Sequence, residues 1–339
     1  MPSIIEKLSN AQDITFDEAR QFMAAIMSGQ MPPASMAAFL IGLKMKGEKP
    51  QEIAGCADAL GKAGVHIDLP IPVVIDTCGT GGDKTGSFNI STVSALIVAG
   101  AGFVVAKHGN RSVSSQCGSA DVLEALGVKV DAPPPVVEKC LQQIGLCFMF
   151  APVFHPAMKN AMPVRKELGV RTIFNIIGPL CNPAGANVRV MGVFTPKLLK
   201  TLAEVLVALG IQEAFVVHSA GHDELTLSGP SQVCEIKKGK ITSKKLTAKD
   251  FGMKPVDNTL LSGGDKHFNA DIVRRILKGE KGPYRDVSVA NAALAILSGC
   301  RALGRKDIQD LRGARRLAEE AIDNGNSWKK LEQLVLLTQ

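Results

Sequence analysis

The sequence predicts an α/β protein: a helical N-terminal unit followed by a larger α/β part with a mainly parallel central sheet. Three observations predict it. The first 67 residues carry apolar side chains at helical intervals, short apolar runs then alternate with amphipathic ones, and glycine-rich turns follow several of those short runs. Strand and helix in strict alternation imply parallel strands with helices on the faces.

The N-terminal helices come first. Thr15 and Glu18 have capping-box spacing, and Phe16, Ala19, Phe22, Met23 and Ile26 follow on one helix face. Pro32 and Pro33 break the chain; Met36, Phe39, Leu40 and Leu43 give a second amphipathic run. Pro50 opens a third, through Ile53, Ala57 and Leu60, ending at Gly61 and Gly64. A proline-punctuated link follows at 69–72. The alternation then begins. Strands are expected at 73–75, 103–106, 128–130, 147–150, 188–193 and 214–217. Helices are expected from about Ile90, at 120–126, 136–144 and 198–209. Residues 232–242 suit a hairpin turning at Gly239, and the tail is helical again from Asp271.

Composition narrows the function. The chain has 339 residues, 46% apolar and 21% charged, a globular balance. Aromatic residues are 4%, too few for a stacking platform that would hold single-stranded nucleic acid. No apolar run reaches the roughly 20 residues of a membrane span, and residues 1–12 lack the pattern of a secretory signal. The eight cysteines are scattered without a CxxC pair, as expected for free thiols in a reducing cytoplasm. The net charge of +7 leaves nucleic acid and phosphorylated metabolites both open as ligands. Residues 231–339 hold 21 basic and 13 acidic groups, so the excess lies outside the motifs described next and does not choose between them.

Four loops carry candidate chemistry. The first, residues 76–92, contains Gly79-Thr80-Gly81-Gly82-Asp83 and leads into a helix through Ser87, Asn89, Ile90, Ser91 and Thr92. Glycines allow close backbone approach, and a helix N-terminus suits an anion. Asp83 stands where a Walker A loop needs glycine, and Lys84 breaks a GxGxxG fingerprint, so a phosphate or diphosphate cradle of another type is expected. The second loop, Lys107-His108-Gly109-Asn110-Arg111-Ser112-Val113-Ser114-Ser115 followed by Ser119, follows the next strand and offers cations, amides and hydroxyls as an anion clamp. The third holds His155, Arg165 and the tight run 178–183; taken alone, these residues read equally well as a loop histidine and a solvated charge. The fourth, His222-Asp223-Glu224-Leu225, places two carboxylates in a glycine-containing turn, a pattern suited to Mg2+ with substrate phosphates. The histidines lack a third soft ligand at zinc spacing. Together the loops fit a Mg-bound diphosphate, with phosphoryl transfer or displacement of diphosphate from carbon as the chemistry.

Six segments together resemble the anthranilate phosphoribosyltransferase family across nearly the whole chain. They are GTGGD at 79–83, NIST at 89–92, KHGNRSVSS at 107–115, GSADVLEALG at 118–127, RKELGVRTIFNIIGPL at 165–180 and HDEL at 222–225. The resemblance implies a nucleoside phosphorylase/phosphoribosyltransferase type of fold. Residues 1–70 would form a helical domain joined by a segment near 166–187, with the α/β domain at 71–165 and 188–339. It implies a homodimer formed through the helical domain, Mg2+, and no nucleic-acid partner. Phosphoribosyl diphosphate would meet Gly79, Gly82, Asp83, Ser87, Asn89, Ile90, Ser91, Thr92, Lys107, Gly109, Asn110, Ser114, Ser115 and Ser119. Ser91, Asp223 and Glu224 would hold Mg2+. Gly79, His108, Asn110, His155 and Arg165 would meet anthranilate. A pyrimidine-nucleoside phosphorylase, using free phosphate, and a basic nucleic-acid-binding relative without catalysis are the competing readings. The intact Asp223–Glu224 pair speaks against the second.

Overall fold

The computed structural model describes residues 2–83, 85–112 and 116–339. Four helices open the chain: α1 (Pro2–Ser9), α2 (Phe16–Met27), α3 (Pro33–Lys46) and α4 (Pro50–Lys62). The Thr15 hydroxyl accepts from the Glu18 amide while the Glu18 carboxylate accepts from the Thr15 amide, the reciprocal capping expected at the start of α2.

The α/β part runs β1 (Ile75–Gly79), α5 (Ile90–Gly100), β2 (Val105–Gly109), α6 (Ser119–Ala125), α7 (Pro134–Ile144) and β3 (Leu146–Phe150). Short helices follow at α8 (Ala151–Phe154), α9 (Met162–Leu168) and α10 (Phe174–Ile177). Then come β4 (Val188–Gly192), α11 (Leu198–Ala208), β5 (Glu213–His218), β6 (Ser231–Lys237) and β7 (Lys240–Leu246). The tail holds α12 (Lys266–Leu277), α13 (Pro283–Ala302), α14 (Leu311–Asp323) and α15 (Asn326–Thr338).

The sheet order is β3-β2-β1-β4-β5-β6-β7. The first five strands are parallel and the β6–β7 hairpin adds antiparallel, so the mainly parallel sheet is present. Both faces are covered, as parallel strands require. On β5, Phe215 and Val217 enter a core with α5 and α13, while Ala214 and Val216 enter a second core with α11 and α2–α4. This period-two division along one strand joins the helical unit to the sheet. Helix α13 is buried all round, as a central helix should be.

Three local expectations shift. β1 and β2 begin later and run on to Gly79 and Gly109, so part of each motif lies in a strand. Residues 128–130 make no strand: Val128 and Val130 are buried and Lys129 exposed, an alternation that mimics one, but the segment is a turn after Gly127, at φ +97°, and pairs with no neighbour. The tail helix starts at Lys266 because the Asp265 carboxylate caps it, accepting from the amides of His267 and Phe268.

Candidate active site

β1 lies between β2 and β4, so chain order reverses at the β1–β4 boundary. Ligands in open α/β sheets bind beyond the strand C-termini at such a reversal. Gly79 and Gly192 end β1 and β4 as register partners. The turn carrying Asp223 folds down onto them. A Cβ on Gly79 would come 2.5 Å from Asp223 Oδ2, and one on Gly192 would come 1.4 Å from the Asp223 carbonyl oxygen. The paired glycines thus form the notch that seats the acidic turn.

Asp223 Oδ2 accepts from the Gly81 amide at 2.6 Å, and Glu224 Oε1 accepts from the Ser91 amide at 3.1 Å. The first and fourth motifs therefore meet directly. Burial pushes both carboxyls above the usual range; Asp83 adds to the shift of Asp223, and Asp223 to that of Glu224. Asp83 itself accepts from the Asp223 amide at 3.4 Å. Asn291 on α13 fixes the turn from behind. Its Oδ1 accepts from the Leu225 amide at 3.1 Å and its Nδ2 donates to the Leu225 carbonyl at 2.8 Å.

The second motif arrives on β2. Lys107 is buried, and its Nζ donates to the Thr77 carbonyl at 2.7 Å and lies 3.4 Å from Ser91 Oγ. An ammonium has three donors, so one remains for a ligand. Burial lowers its pKa, while Asp76 and Glu224 pull the other way. A Cβ on Gly109 would strike Ser119 Oγ at 2.2 Å, which brings Ser119 against the strand end. Asn110 is exposed; its carbonyl accepts from the Ser119 hydroxyl at 3.3 Å. Thr92 Oγ1 is buried at the start of α5 and has no hydrogen-bond partner among the described residues. Ser87 pairs across to Ser262, and Ile90 is buried as the first residue of α5. Lys84, Ser114 and Ser115 lie outside the described residues. Arg111 departs from the clamp read in sequence: its guanidinium is held by Asp121 at 3.0 Å and Glu124 at 2.9 Å, so two acids already neutralise it.

His108 and His155 stand edge to face, ring centroids 5.0 Å apart. His155 Nε2 meets the Cys181 carbonyl at 3.1 Å. A carbonyl can only accept, so Nε2 of His155 carries that ring's proton. Among the described residues, His108 Nε2 and His155 Nδ1 are buried without hydrogen-bond partners. Burial lowers both pKa values, that of His108 strongly, which favours the uncharged form of each ring. Arg165, on α9, stacks over Phe174 at 5.0 Å, and burial lowers its pKa. Its polar neighbour is the Met162 sulfur, and among the described residues it has no carboxylate partner.

A buried network underneath was not legible as functional. Asp76 accepts from Arg189 Nη1 at 3.2 Å and Asn182 Nδ2 at 2.9 Å, and from the His108 amide at 3.3 Å. Asn182 also donates to the Ala106 carbonyl at 2.8 Å, tying the segment that returns from α10 to β1 and β2. Arg171 crosses to the glycine loop, donating to the Gly82 carbonyl and lying 4.3 Å over the Phe194 ring.

Comparison with known proteins agrees with this architecture. Residues 2–64 match the helical bundle domain of a glycosyl transferase family, and residues 71–328 match its a/b domain. An anthranilate phosphoribosyltransferase of Moorella thermoacetica is 48% identical over 332 residues, covering 98% of this chain and 96% of that one. That of Syntrophobacter fumaroxidans is 47% identical, covering 98% of each. The chain belongs to the anthranilate phosphoribosyltransferase family. The crystal structure of the family member from Thermus thermophilus matches with a TM-score of 0.92 at 41% identity, covering 99% of each chain. The Saccharomyces cerevisiae member in complex with PRPP and Mg matches with a TM-score of 0.88 at 28% identity, over 99% of this chain and 97% of that one.

The residues here suit the metal named in that complex. Asp223 and Glu224 are adjacent, buried, oxygen-donating and short of positive charge, with Ser91 between them and Lys107. Among the described residues no group of three or more His, Cys, Asp or Glu forms a complete cage. Mg2+ bound through one or two carboxylates and substrate phosphates needs none.

Proposed function

We propose that this chain is a pentosyltransferase that carries out the family's reaction. It transfers the 5-phosphoribosyl group from phosphoribosyl diphosphate (PRPP) to the anthranilate amine with release of diphosphate, the second step of tryptophan synthesis from chorismate. The observation that carries the proposal is the convergence of a glycine loop, a helix N-terminus, a buried lysine and two buried carboxylates at the sheet's reversal point. PRPP has the charge and the length to use all of them.

In this reading the loop residues Gly79, Gly82, Asp83, Ser87, Asn89, Ile90, Ser91 and Thr92 cradle PRPP from one side. Lys107, Gly109, Asn110, Ser114, Ser115 and Ser119 cradle it from the other. Ser91, Asp223 and Glu224 hold Mg2+, which when bound neutralises charge on the departing diphosphate. Lys107 adds its free donor to the same charge. Arg165, its guanidinium over the Phe174 ring, presents a planar bidentate partner to the anthranilate carboxylate. The rings of His108 and His155, with Gly79 and Asn110, flank the aromatic acceptor. The aryl amine is uncharged near pH 7, so attack needs no prior deprotonation, and no general base is assigned. Positioning two bound substrates supplies much of the rate. We further assign residues 1–70 and a segment near 166–187 to a helical domain, residues 71–165 and 188–339 to the α/β domain, and a cytoplasmic homodimer joined through the helical domain as the working form. Among the described residues no helix is long and apolar enough to cross a membrane.

Loss of anthranilate fluorescence on mixing chain, PRPP and Mg2+ tests the reaction. Phosphate-dependent cleavage of pyrimidine nucleosides without that loss would replace it. Arg165→Ala is expected to raise the KM for anthranilate about 10- to 100-fold, the size of a lost charge-assisted hydrogen bond. The KM for PRPP should stay within about twofold. Equal rises for both substrates would remove Arg165 from the anthranilate subsite.

A further inference from the structure

Asn269 lies on the first turns of α12, in the basic C-terminal third that none of the sequence motifs reaches, and is 2% exposed. Its Nδ2 donates to Asn89 Oδ1 at 3.0 Å and its Oδ1 accepts from the Gly264 amide at 2.8 Å. Asn89 Nδ2 donates onward to the Cys117 carbonyl at 3.1 Å, and the Cys117 thiol lies 3.5 Å from Asn89 Oδ1. Two amides in series therefore connect the segment at 263–264, the glycine loop and the chain just before Ser119. The orientation of each amide is fixed. Turning Asn269 over would set its N–H against the Gly264 N–H and its oxygen against the Asn89 oxygen. Two backbone bonds lie alongside, from the Gly263 amide to the Gly86 carbonyl at 2.8 Å and from the Phe88 amide to the Leu261 carbonyl at 3.1 Å. Asn89 occupies the N-cap position of α5, where asparagine commonly caps, yet its side chain makes no capping bond. The amide is engaged in the tie between loops instead.

We propose that Asn269 is a positioning residue for the phosphate site: acting through Asn89, it fixes the separation of the glycine loop and the 107–119 segment. The inference rests on the assignment of those two segments to PRPP. The Asn89 side chain then serves chiefly to hold the backbone that faces the phosphates, and α12 serves as the outer anchor of the site.

The test is a double-mutant cycle in the full-length chain with Mg2+ present. PRPP binding is read by calorimetry without anthranilate, and the KM values of both substrates by turnover. Asn269→Ala is expected to weaken PRPP binding about tenfold, the size of one buried hydrogen bond, with the anthranilate KM within about twofold. Asn269→Asp keeps the shape and the Gly264 bond while removing the donor to Asn89, and should weaken PRPP similarly; it also serves if the alanine variant does not fold. In an Asn89→Ala background either change should add less than about twofold, because the path is already cut. A full tenfold loss in that background, or equal loss of affinity for both substrates with a fall in melting temperature, overturns the proposal. If the parent binds PRPP but leaves anthranilate unconsumed, the proposed reaction fails while the calorimetric cycle still decides the role of Asn269. A parent that binds no PRPP overturns both.

Discussion

Replacing Asp223 by Asn and Glu224 by Gln together is expected to make the Mg2+-free chain more stable while it loses at least about a thousandfold in kcat/KM, the scale of removing preorganised charge stabilisation from a reacting centre. The two effects have one origin. Both carboxyls are buried, and burial together with neighbouring acids raises their pKa values. A raised carboxyl pKa means that folding disfavours the ionised form, so at neutral pH the pair costs folding energy when no cation compensates it. The isosteric amides remove that cost and keep the shape. The gain should read as a rise in melting temperature of roughly 2–6 °C, at about 2–4 °C per kcal/mol. The parent should melt higher when Mg2+ and diphosphate are added together, and the double variant should not. A double variant that melts lower than the parent without metal, or that keeps the full response to Mg2+ and diphosphate, would remove these residues as ligands. Sites that hold uncompensated charge for a ligand commonly show this opposition between stability and function.

The legible part of this site is the part encoded locally. Glycine runs, a helix start and two adjacent acids are contiguous in sequence, and the alternation of elements placed each at a strand end. The β1–β4 reversal then brings them together. The rest depends on partners distant in sequence. Arg111 reads as an anion clamp until α6 folds Asp121 and Glu124 against it. Asp76 stands first in the glycine motif, yet its work is to hold Arg189 and Asn182. The alternating burial of Val128, Lys129 and Val130 has the period of a strand, and only the missing neighbour distinguishes it from one. Asn291 did leave a signal, the one side-chain amide among the buried residues of α13. Its target, the backbone of Leu225, was beyond reach because α13 and the acidic turn meet only in the folded chain.

Gly192→Ala probes the seating of the acidic turn with one methyl group. In sequence Gly192 is an ordinary strand end, outside every glycine-rich run. In the sheet it is the register partner of Gly79, and the Asp223 backbone rests on it. The added Cβ would lie 1.4 Å from the Asp223 carbonyl oxygen and 2.3 Å from its carbon. These are backbone atoms, so no rotamer change relieves the clash. The turn must retreat by roughly 2 Å to reach ordinary contact. That displacement acts on Asp223 and Glu224 together, and a misplacement of about 1 Å near a reacting centre can cost a hundredfold in rate. Gly192→Ala is therefore expected to lower kcat/KM at least about a hundredfold and raise the Mg2+ concentration needed for half-maximal rate. Arg165 lies elsewhere, so the KM for anthranilate should change little. Overpacking should cost about 1–3 kcal/mol of stability, read by denaturant titration. Gly61→Ala is the matched control. That glycine is in α4, where an added Cβ meets nothing within 4 Å, and alanine there should be neutral or slightly stabilising. If Gly192→Ala retained the parent's rate and Mg2+ response, the close seating of the acidic turn on the paired glycines would not be what places its carboxylates.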